Sequence, residues 1–403
     1  MKKKLSIAFL WHMHQPVYQD TFEGPFYMPW VRLHAVKDYL DMLKLMDKFP
    51  KLKLNFNLSP TILYAFQKYI DGYDDIHSII TSKPVEELTS DDKLFILNYF
   101  FDANYSSMIM KYKGYNELYK KRKSVSEVKI DEFSNQEYSD IMFWFNMAWV
   151  DPVWVNKYPK LKKLVKKNKG YTLEDRLLLL DIQKEIITKI IPSYKKYQDE
   201  GKIEISTNPL FHPILPLLMN VNVAKNSTAK YNLPDCNFNM QEDAKKQVEK
   251  SIELYEQLFG RKPNGMWPSE LSVSSEVLDL FSEHGIKWTI ADESTLSDSI
   301  KKEFIRDNRG NLEDPYDLSK VYTYKSNKSN DIKMFFRNAS IANLIGFEYP
   351  SYDSVQAAND LYDRLKQIQD KLQTSPDDNH VVVIAMDGEN SWENYVDDGT
   401  KFL

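Results

Sequence analysis

The sequence predicts an α/β fold in which seven parallel strands alternate with helices. Short runs rich in Val, Ile and Phe are each followed by polar turns, a pattern typical of strands that are buried on both faces. Helical patterns separate most of these runs, and strands that alternate with helices form parallel sheets. With 403 residues, the chain is long enough for one large barrel or two ordinary domains.

Seven segments have the pattern of buried strands: Leu5–Leu10, Leu52–Phe56, Ile203–Ser206, Asn264–Trp267, Lys287–Ile290, Ile332–Phe336 and Val381–Ala385. Four connections have a helical period: Ala35–Lys48, Leu173–Lys195, Ala244–Leu258 and Ser354–Leu372. The second connection is too long for a simple crossover and is dominated by helical patterns, so residues 71–171 are predicted to form a mainly helical insertion.

Composition argues against two classes of partner. No run of eighteen apolar residues is present to span a bilayer, so we expect no membrane partner. The net charge of -5 comes from 53 basic and 58 acidic residues, so we expect no nucleic-acid partner. A single cysteine, Cys236, cannot form an internal disulfide, which fits a cytoplasmic protein. The first apolar run stops at Trp11-His12 without a small-residue cleavage site, which favours a strand over a signal peptide.

Polar and ionisable residues follow the predicted strands at their carboxyl ends, where parallel βα barrels build active sites. They include His12 and His14 after the first strand, His212 after the third, Trp267 and Glu270 at the fourth, Asp292 after the fifth, Arg337 after the sixth and Asp387 after the seventh. We expect these strand ends to converge on one acidic pocket.

Glu270 and Asp387 are the candidate catalytic pair, because two carboxylates are the minimum apparatus for cleaving a glycosidic bond. Glu270 is presented by a Trp-Pro turn that limits backbone freedom. Asp387 follows an apolar run and precedes Gly388, which permits a tight bend. Either acid taken alone would more often cap a helix or lie in a solvated turn. Their place in the pattern of strand ends favours catalysis.

Residues 142–154 are unusually aromatic. The simpler interpretation is that these rings anchor the insertion to the barrel. The alternative is that Trp149 or Trp154 stacks on a substrate.

Four motifs resemble those of glycoside hydrolase family 57, which contains amylopullulanases, α-amylases, 4-α-glucanotransferases and branching enzymes. They are His14-Gln15-Pro16, the segment 201–216, Gly265–Ser274 with its Trp-Pro-Ser-Glu core, and Met386–Glu393 with Asp-Gly-Glu. The resemblance extends over almost the whole chain. It implies a distorted (β/α)7 barrel of the glycoside hydrolase/deacetylase type.

The resemblance also implies roles for individual residues. Glu270 matches the catalytic nucleophile and Asp387 the general acid/base of a retaining enzyme that acts on α-glucans. His14, His212 and Trp267 match sugar-binding positions, and His12 could join them. Further candidates for substrate binding are Asp292, Arg337 and Trp149. The Trp-Pro-Ser-Glu form of the third motif favours hydrolysis of α-1,4 links, with α-1,6 links as an open second candidate. No cofactor or metal is expected.

Two departures from the family pattern are present. A fifth motif usually lies in a helical region beyond the fourth, and this chain ends at Leu403, so that region is expected to be missing. In addition, Asn338 and Asn343 stand where the family often has aspartates, which lowers the negative charge near Asp387.

Three alternative functions stay open from the sequence. A 4-α-glucanotransferase or branching enzyme would use the same residues. A metal-dependent carbohydrate deacetylase or α-mannosidase would use His12, His14, His212 and Asp292 as ligands. A non-catalytic fragment would bind glucan through its aromatic cleft.

Overall fold

The computed structural model describes residues 3–124, 129–227, 233 and 238–403. Cys236 lies outside the described residues. The strands are β1 (Leu5–Met13), β2 (Leu54–Leu58), β3 (Ile203–Ser206), β4 (Gly265–Met266), β5 (Trp288–Asp292), β6 (Tyr322–Tyr324), β7 (Ile332–Arg337) and β8 (His380–Asp387).

The helices in the described residues surround these strands. They are α1 (Trp30–Lys37), α2 (Asp41–Met46), α3 (Pro60–Ile70), α4 (Ile76–Thr81), α5 (Ser90–Tyr99), α6 (Lys113–Lys123), α7 (Asn135–Ala148), α8 (Pro152–Lys157), α9 (Pro159–Lys167), α10 (Leu173–Ile187), α11 (Ile190–Asp199), α12 (Leu215–Met219), α13 (Ala224–Ser227), α14 (Gln241–Phe259), α15 (Ser275–Glu283), α16 (Glu293–Ile300), α17 (Ala339–Asn343) and α18 (Ser354–Lys371). Within the described ranges, no helix is both long enough and apolar enough to cross a bilayer.

Seven of the strands are parallel, in the order β3-β2-β1-β8-β7-β5-β4. An isolated parallel bridge between Thr207 and Met266 joins the two outer strands, and the Trp267 N–H donates to the Thr207 carbonyl at 2.7 Å. The sheet therefore nearly closes into the predicted (β/α)7 barrel, and all seven predicted strands are confirmed.

Side-chain alternation along the strands decides which residues enter the barrel. On β1, Trp11 and Met13 pack outward into the largest hydrophobic core, whereas Leu10 lies in the small core inside the barrel. On β8, Val383 and Ala385 lie in that inner core. By the same alternation, the carboxyl-terminal ends of these two strands direct His12 and Asp387 to the barrel mouth.

Two predicted helices are each divided in the structure. The segment 35–48 forms α1 and α2, separated at Asp38, which is buried and pairs with both His34 and Lys37. The segment 173–195 forms α10 and α11. The second division has a clear cause, because Pro192 lacks an N–H and is tolerated in the first turn of α11 but not within a helix.

The structure also contains one strand that the sequence pattern did not predict. Residues 322–324 form β6, which pairs antiparallel with β7. Three residues are too few to show a period, and the strand is defined by its partner.

A buried ion pair connects the barrel to the segment predicted as the insertion, which contains α4 to α9. Arg32 of α1 donates from Nε and Nη2 to the two carboxylate oxygens of Asp75 at 2.6 and 3.1 Å. Its Nη1 donates to Asn146 of α7 and Gln183 of α10. Both Arg32 and Asp75 are completely buried. Neither charge can reach water, so each depends on the other.

We expect Arg32→Met to lower the free energy of unfolding by about 3–5 kcal/mol, because it leaves the Asp75 carboxylate buried without its partner. Urea denaturation measures this change. Lys250→Met is the matched control, since Lys250 pairs with Glu253 on the exposed face of α14 and should be neutral. An equal effect of the two substitutions would contradict this role for the buried pair.

Candidate active site

Six of the nine residues predicted for the site line one cleft at the carboxyl ends of the parallel strands. They are His12, Trp267, Glu270, Asp292, Arg337 and Asp387. The cleft has a volume of about 520 Å³. Two more, His14 and His212, stack on His12 with ring centroids 5.5 and 5.3 Å away. The ninth, Trp149, lies in a different cleft.

Glu270 lies on a strained turn, Ser269–Leu271, directly beyond β4. Its backbone is left-handed (φ 52°, ψ 28°), as is that of Leu271. This conformation costs about 1–2 kcal/mol for a residue other than Gly, and such strain concentrates at functional sites. The turn leaves the Glu270 side chain 77% exposed, with Oε1 4.0 Å from Nδ1 of His212.

Asp387 is the last residue of β8, and its register partner on β1 is His12. The side chain is exposed, and Oδ2 accepts a hydrogen bond from Asn390 Nδ2 at 3.2 Å. Gly388 lies in a bend after β8, as predicted, and it also meets a packing requirement. A Cβ at this position would lie 2.4 Å from the sulfur of Met13, so only Gly allows β8 to approach β1 this closely.

Three imidazoles and one indole form a stack at one side of the cleft. The ring of His12 lies on that of Trp267 at 4.3 Å with an interplanar angle of 2°, and His14 lies on His212 at 4.0 Å and 20°. Trp267 is 4% exposed, so its ring mainly supports His12.

Desolvation lowers the pKa of each of these imidazoles, which favours their neutral forms. Desolvation lowers the pKa of His12, and repulsion by His14 and His212 adds to the effect. Desolvation followed by the His212 charge lowers the pKa of His14 to about 3, and desolvation lowers the pKa of His212 to about 4. The amide oxygen of Asn57 lies 2.6 Å from Nδ1 of His12 and can only accept, so this nitrogen carries the ring proton.

Among the residues that the structure describes, these three histidines have the type and spacing to suit a metal ion, since their nitrogens lie within 4.8 Å of one another. Metal ligands must aim in-plane lone pairs at one point. His14 and His212 lie face to face, so their lone pairs run side by side instead of converging. Asp292, the fourth predicted metal ligand, forms an ion pair with Arg337 instead. The arrangement suits hydrogen bonding to a polar ligand better than a metal centre.

Asp292 and Arg337 form an ion pair across the ends of β5 and β7, where they are register partners. Arg337 Nε donates to Asp292 Oδ2 at 2.6 Å. Partial burial opposes ionisation of Asp292, but hydrogen bonds from Ser294 and the Arg337 charge outweigh it and lower the pKa of Asp292. The pair therefore adds fixed polar groups to the cleft with no net charge.

The two asparagines that depart from the family pattern have separate positions. Asn338 is buried, and its side-chain oxygen accepts the Ile341 N–H and caps α17. Asn is as good a helix cap as Asp, so this difference is conservative. Asn343 is exposed and lines the cleft, where its neutral amide replaces a carboxylate charge.

Sequence reasoning missed two residues that position the site. Asn57, which orients His12, directly follows the predicted second strand, and inward alternation on that strand is the signal that could have found it. Glu389 appeared only as part of a motif. It is buried, and Oε1 accepts the His14 N–H at 2.8 Å, which ties the turn after Asp387 to the end of β1. Burial, with the Asp387 charge, raises the pKa of Glu389.

Trp149 lies in a neighbouring cleft of about 360 Å³. It is 3% exposed and packs against Trp30 and His34 at 5.6 and 5.3 Å. Gln15 and Asn390 line the same cleft, so it adjoins the turn that carries Asp387. Trp154 is buried, as expected of a ring that anchors the insertion.

The barrel and the carboxylates at its mouth define a protein of the glycoside hydrolase type. The sequence model of glycosyl hydrolase family 57 matches residues 8–403, and the chain belongs to this family of glycoside hydrolases and transferases. The resemblance seen in the motifs is thereby confirmed. Curated proteins gave no match.

Solved structures share the fold at low sequence identity, and each alignment covers all of this chain. The branching enzyme from Pyrococcus horikoshii is 14% identical with a TM-score of 0.51, and 67% of it is covered. The α-amylase from Thermotoga maritima is 15% identical with a TM-score of 0.51, and 71% is covered. The branching enzyme from Thermococcus kodakaraensis is 14% identical with a TM-score of 0.52, and 68% is covered.

We expect His12, His14 and His212 to stay neutral at pH 5, where an ordinary histidine with a pKa near 6.5 is largely protonated. Imidazole ¹⁵N shifts over a pH titration measure this directly. Asn57→Asp is the matched variant, because a carboxylate in contact with Nδ1 should raise the pKa of His12. Protonation of all three rings near pH 6.5 in the unsubstituted protein would contradict the burial argument.

Proposed function

We propose that the chain is a retaining enzyme that cleaves α-glucans, chiefly at α-1,4 links and also at α-1,6 links. Glu270 is the nucleophile and Asp387 the general acid/base. One observation carries the proposal: two carboxylates from distant parts of the sequence line the same cleft at the barrel mouth. The strained backbone at Glu270 supports it, because strain persists where it serves a function.

In the first step, the Glu270 carboxylate attacks the anomeric carbon as the glycosidic C–O bond breaks. Asp387, protonated at this stage, gives its proton to the departing oxygen. The product is a glucosyl ester of Glu270 and a free sugar hydroxyl. The Glu270 side chain is 77% exposed, so an incoming sugar can reach its carboxylate from the cleft.

In the second step, Asp387 accepts a proton from the incoming hydroxyl, whose oxygen attacks the same anomeric carbon and releases Glu270. Two inversions give net retention. Water as the acceptor gives hydrolysis, and a sugar hydroxyl gives transfer. A 4-α-glucanotransferase or branching enzyme therefore needs only a site that favours a sugar over water.

The neutral imidazoles supply hydrogen-bonding groups for the sugar. His12 is fixed with Nδ1 protonated, so its Nε2 is an acceptor for a sugar hydroxyl. His14 and His212 add ring edges beside Glu270, and Trp267 holds His12 in place. Asp292 and Arg337 offer fixed acceptors and donors across the cleft.

The names of the structural relatives favour a glucan as the substrate class. Two of them are branching enzymes and one is an α-amylase, and all share the fold of this chain. The alternative of a metal-dependent deacetylase or α-mannosidase is disfavoured by the face-to-face stacking of His14 on His212.

Glu270→Gln should reduce turnover of maltoheptaose by more than about 10³-fold, because an amide cannot form the covalent intermediate. Chromatography of the products measures the loss. With the unsubstituted protein, shorter products alone indicate hydrolysis, whereas paired shorter and longer products indicate transfer. Since Glu270 is exposed, the substitution should leave thermal stability unchanged. A loss of turnover would then come from the missing carboxylate and not from unfolding.

Three results would contradict the proposal. Appreciable activity of Glu270→Gln would reject Glu270 as the nucleophile. Loss of activity in EDTA, with recovery on adding zinc, would favour the metal-dependent class. Binding of maltoheptaose without any turnover would favour the non-catalytic fragment.

Asp387→Asn should slow cleavage of maltoheptaose by about 10²–10⁴-fold, since the leaving sugar then lacks a proton donor. The loss in the first step should be much smaller for α-maltosyl fluoride, whose leaving group needs no general acid. Fluoride release in the pre-steady state separates this step from deglycosylation. Equal losses with both substrates would reject Asp387 as the acid.

A further inference from the structure

Phe347 is the most exposed large apolar side chain among the described residues, with 83% of its surface accessible. Its neighbours two positions away, Ile345 and Tyr349, are completely buried. The ring lines the same cleft as Glu270 and Asp387. An exposed aromatic ring beside a polar cleft offers an apolar face that a ligand in the cleft can cover.

A π-helical turn, Leu344–Glu348, carries Phe347. Such turns shift the angular position of the following side chains and are frequent at functional sites. Two hydrogen bonds hold the turn and its end: the buried Tyr395 hydroxyl donates to the Ile345 carbonyl at 2.6 Å, and the hydroxyl of Tyr349, directly after the turn, donates to Asp360 at 2.8 Å. The exposed ring of Phe347 therefore projects from a backbone that these hydrogen bonds hold in place.

The turn packs against the end of β8 that carries the proposed acid. A Cβ at Gly346 would lie 3.7 Å from Met386 Cε and 3.9 Å from Ser391 Oγ, on either side of Asp387 in the sequence. Asn343, Gly346 and Phe347 thus form the wall of the cleft on the Asp387 side. A general acid must lie on the side of the departing oxygen.

We propose that Phe347 is the stacking platform for the sugar unit on the leaving-group side of the cleft, the position that an acceptor sugar also takes. This proposal rests on the proposed function. The apolar C–H face of a glucose ring covers a flat aromatic ring, while Asn343 and Ser391 offer polar atoms to its hydroxyls. By holding an acceptor against Asp387, the ring favours transfer over hydrolysis.

The experiment compares Phe347→Ala, Phe347→Tyr and the control Tyr362→Ala. Tyr362 is a 65% exposed aromatic on α18 that is not among the residues lining the cleft. α-Maltosyl fluoride is the donor, because fluoride leaves the platform free, and maltose is the added acceptor. We expect Phe347→Ala to raise the acceptor KM by about 3- to 10-fold and to lower the transfer-to-hydrolysis ratio. Phe347→Tyr should restore both, and Tyr362→Ala should leave them unchanged.

Binding of maltoheptaose to the inactive Glu270→Gln protein, by calorimetry, provides a readout that does not need turnover. Phe347→Ala in that background should weaken binding by about 3- to 10-fold. An unchanged acceptor KM together with unchanged binding would overturn the platform. The platform would also be overturned if Phe347→Ala changed the oligomeric state but neither the acceptor KM nor the binding of maltoheptaose. The ring would then serve a contact between copies of the chain. If the unsubstituted protein turns nothing over while Phe347→Ala weakens binding, the proposed function fails and the platform stands as a glucan-binding residue.

Discussion

The parallel pairing of β1 with β8 is the interaction on which the barrel and its site depend. Eight consecutive residue pairs join these strands, from Leu5–His380 to His12–Asp387. By contrast, β7 meets β8 at a single pair, and β3 meets β4 through one isolated bridge. Register decides the face to which every side chain of a strand points. A shift of one residue would turn either His12 or Asp387 away from the barrel mouth.

Burial divides the ionisable groups of the site into two sets. His12 is buried and His14 and His212 are half-buried, which lowers their pKa values, whereas Glu270 and Asp387 are exposed to the solvent of the cleft. Glu389 shows what burial does to a carboxyl only two positions from Asp387: its pKa rises, and the proton-bound form is favoured. The left-handed turn at Glu270 and the end of β8 thus place the two candidate catalytic carboxyls where a sugar in the cleft can reach them.

The strands and the chemistry of their ends could be predicted because both are local patterns, apolar runs followed by polar residues. Features that depend on distant parts of the chain could not be. The close packing at Gly388 involves Met13 on another strand, and the separate cleft of Trp149 is lined by residues from distant parts of the chain, such as Gln15 and Asn390. The division of the predicted helix 173–195 into α10 and α11 could have been predicted from Pro192. The exposure of Phe347 could not be read, because a π-helical turn breaks the helical period.

The pairing of β1 with β8 also has a consequence for the order of events during synthesis. Of the parallel strands, β1 is synthesised first and β8 last. Until β8 is made, β1 can pair with β2 on one side, while its other edge stays unpaired. Open strand edges invite association with other chains, and long-range parallel pairing forms slowly. The same late event closes that edge and brings His12 beside Asp387. A newly made chain therefore acquires its protection from aggregation and its candidate active site together.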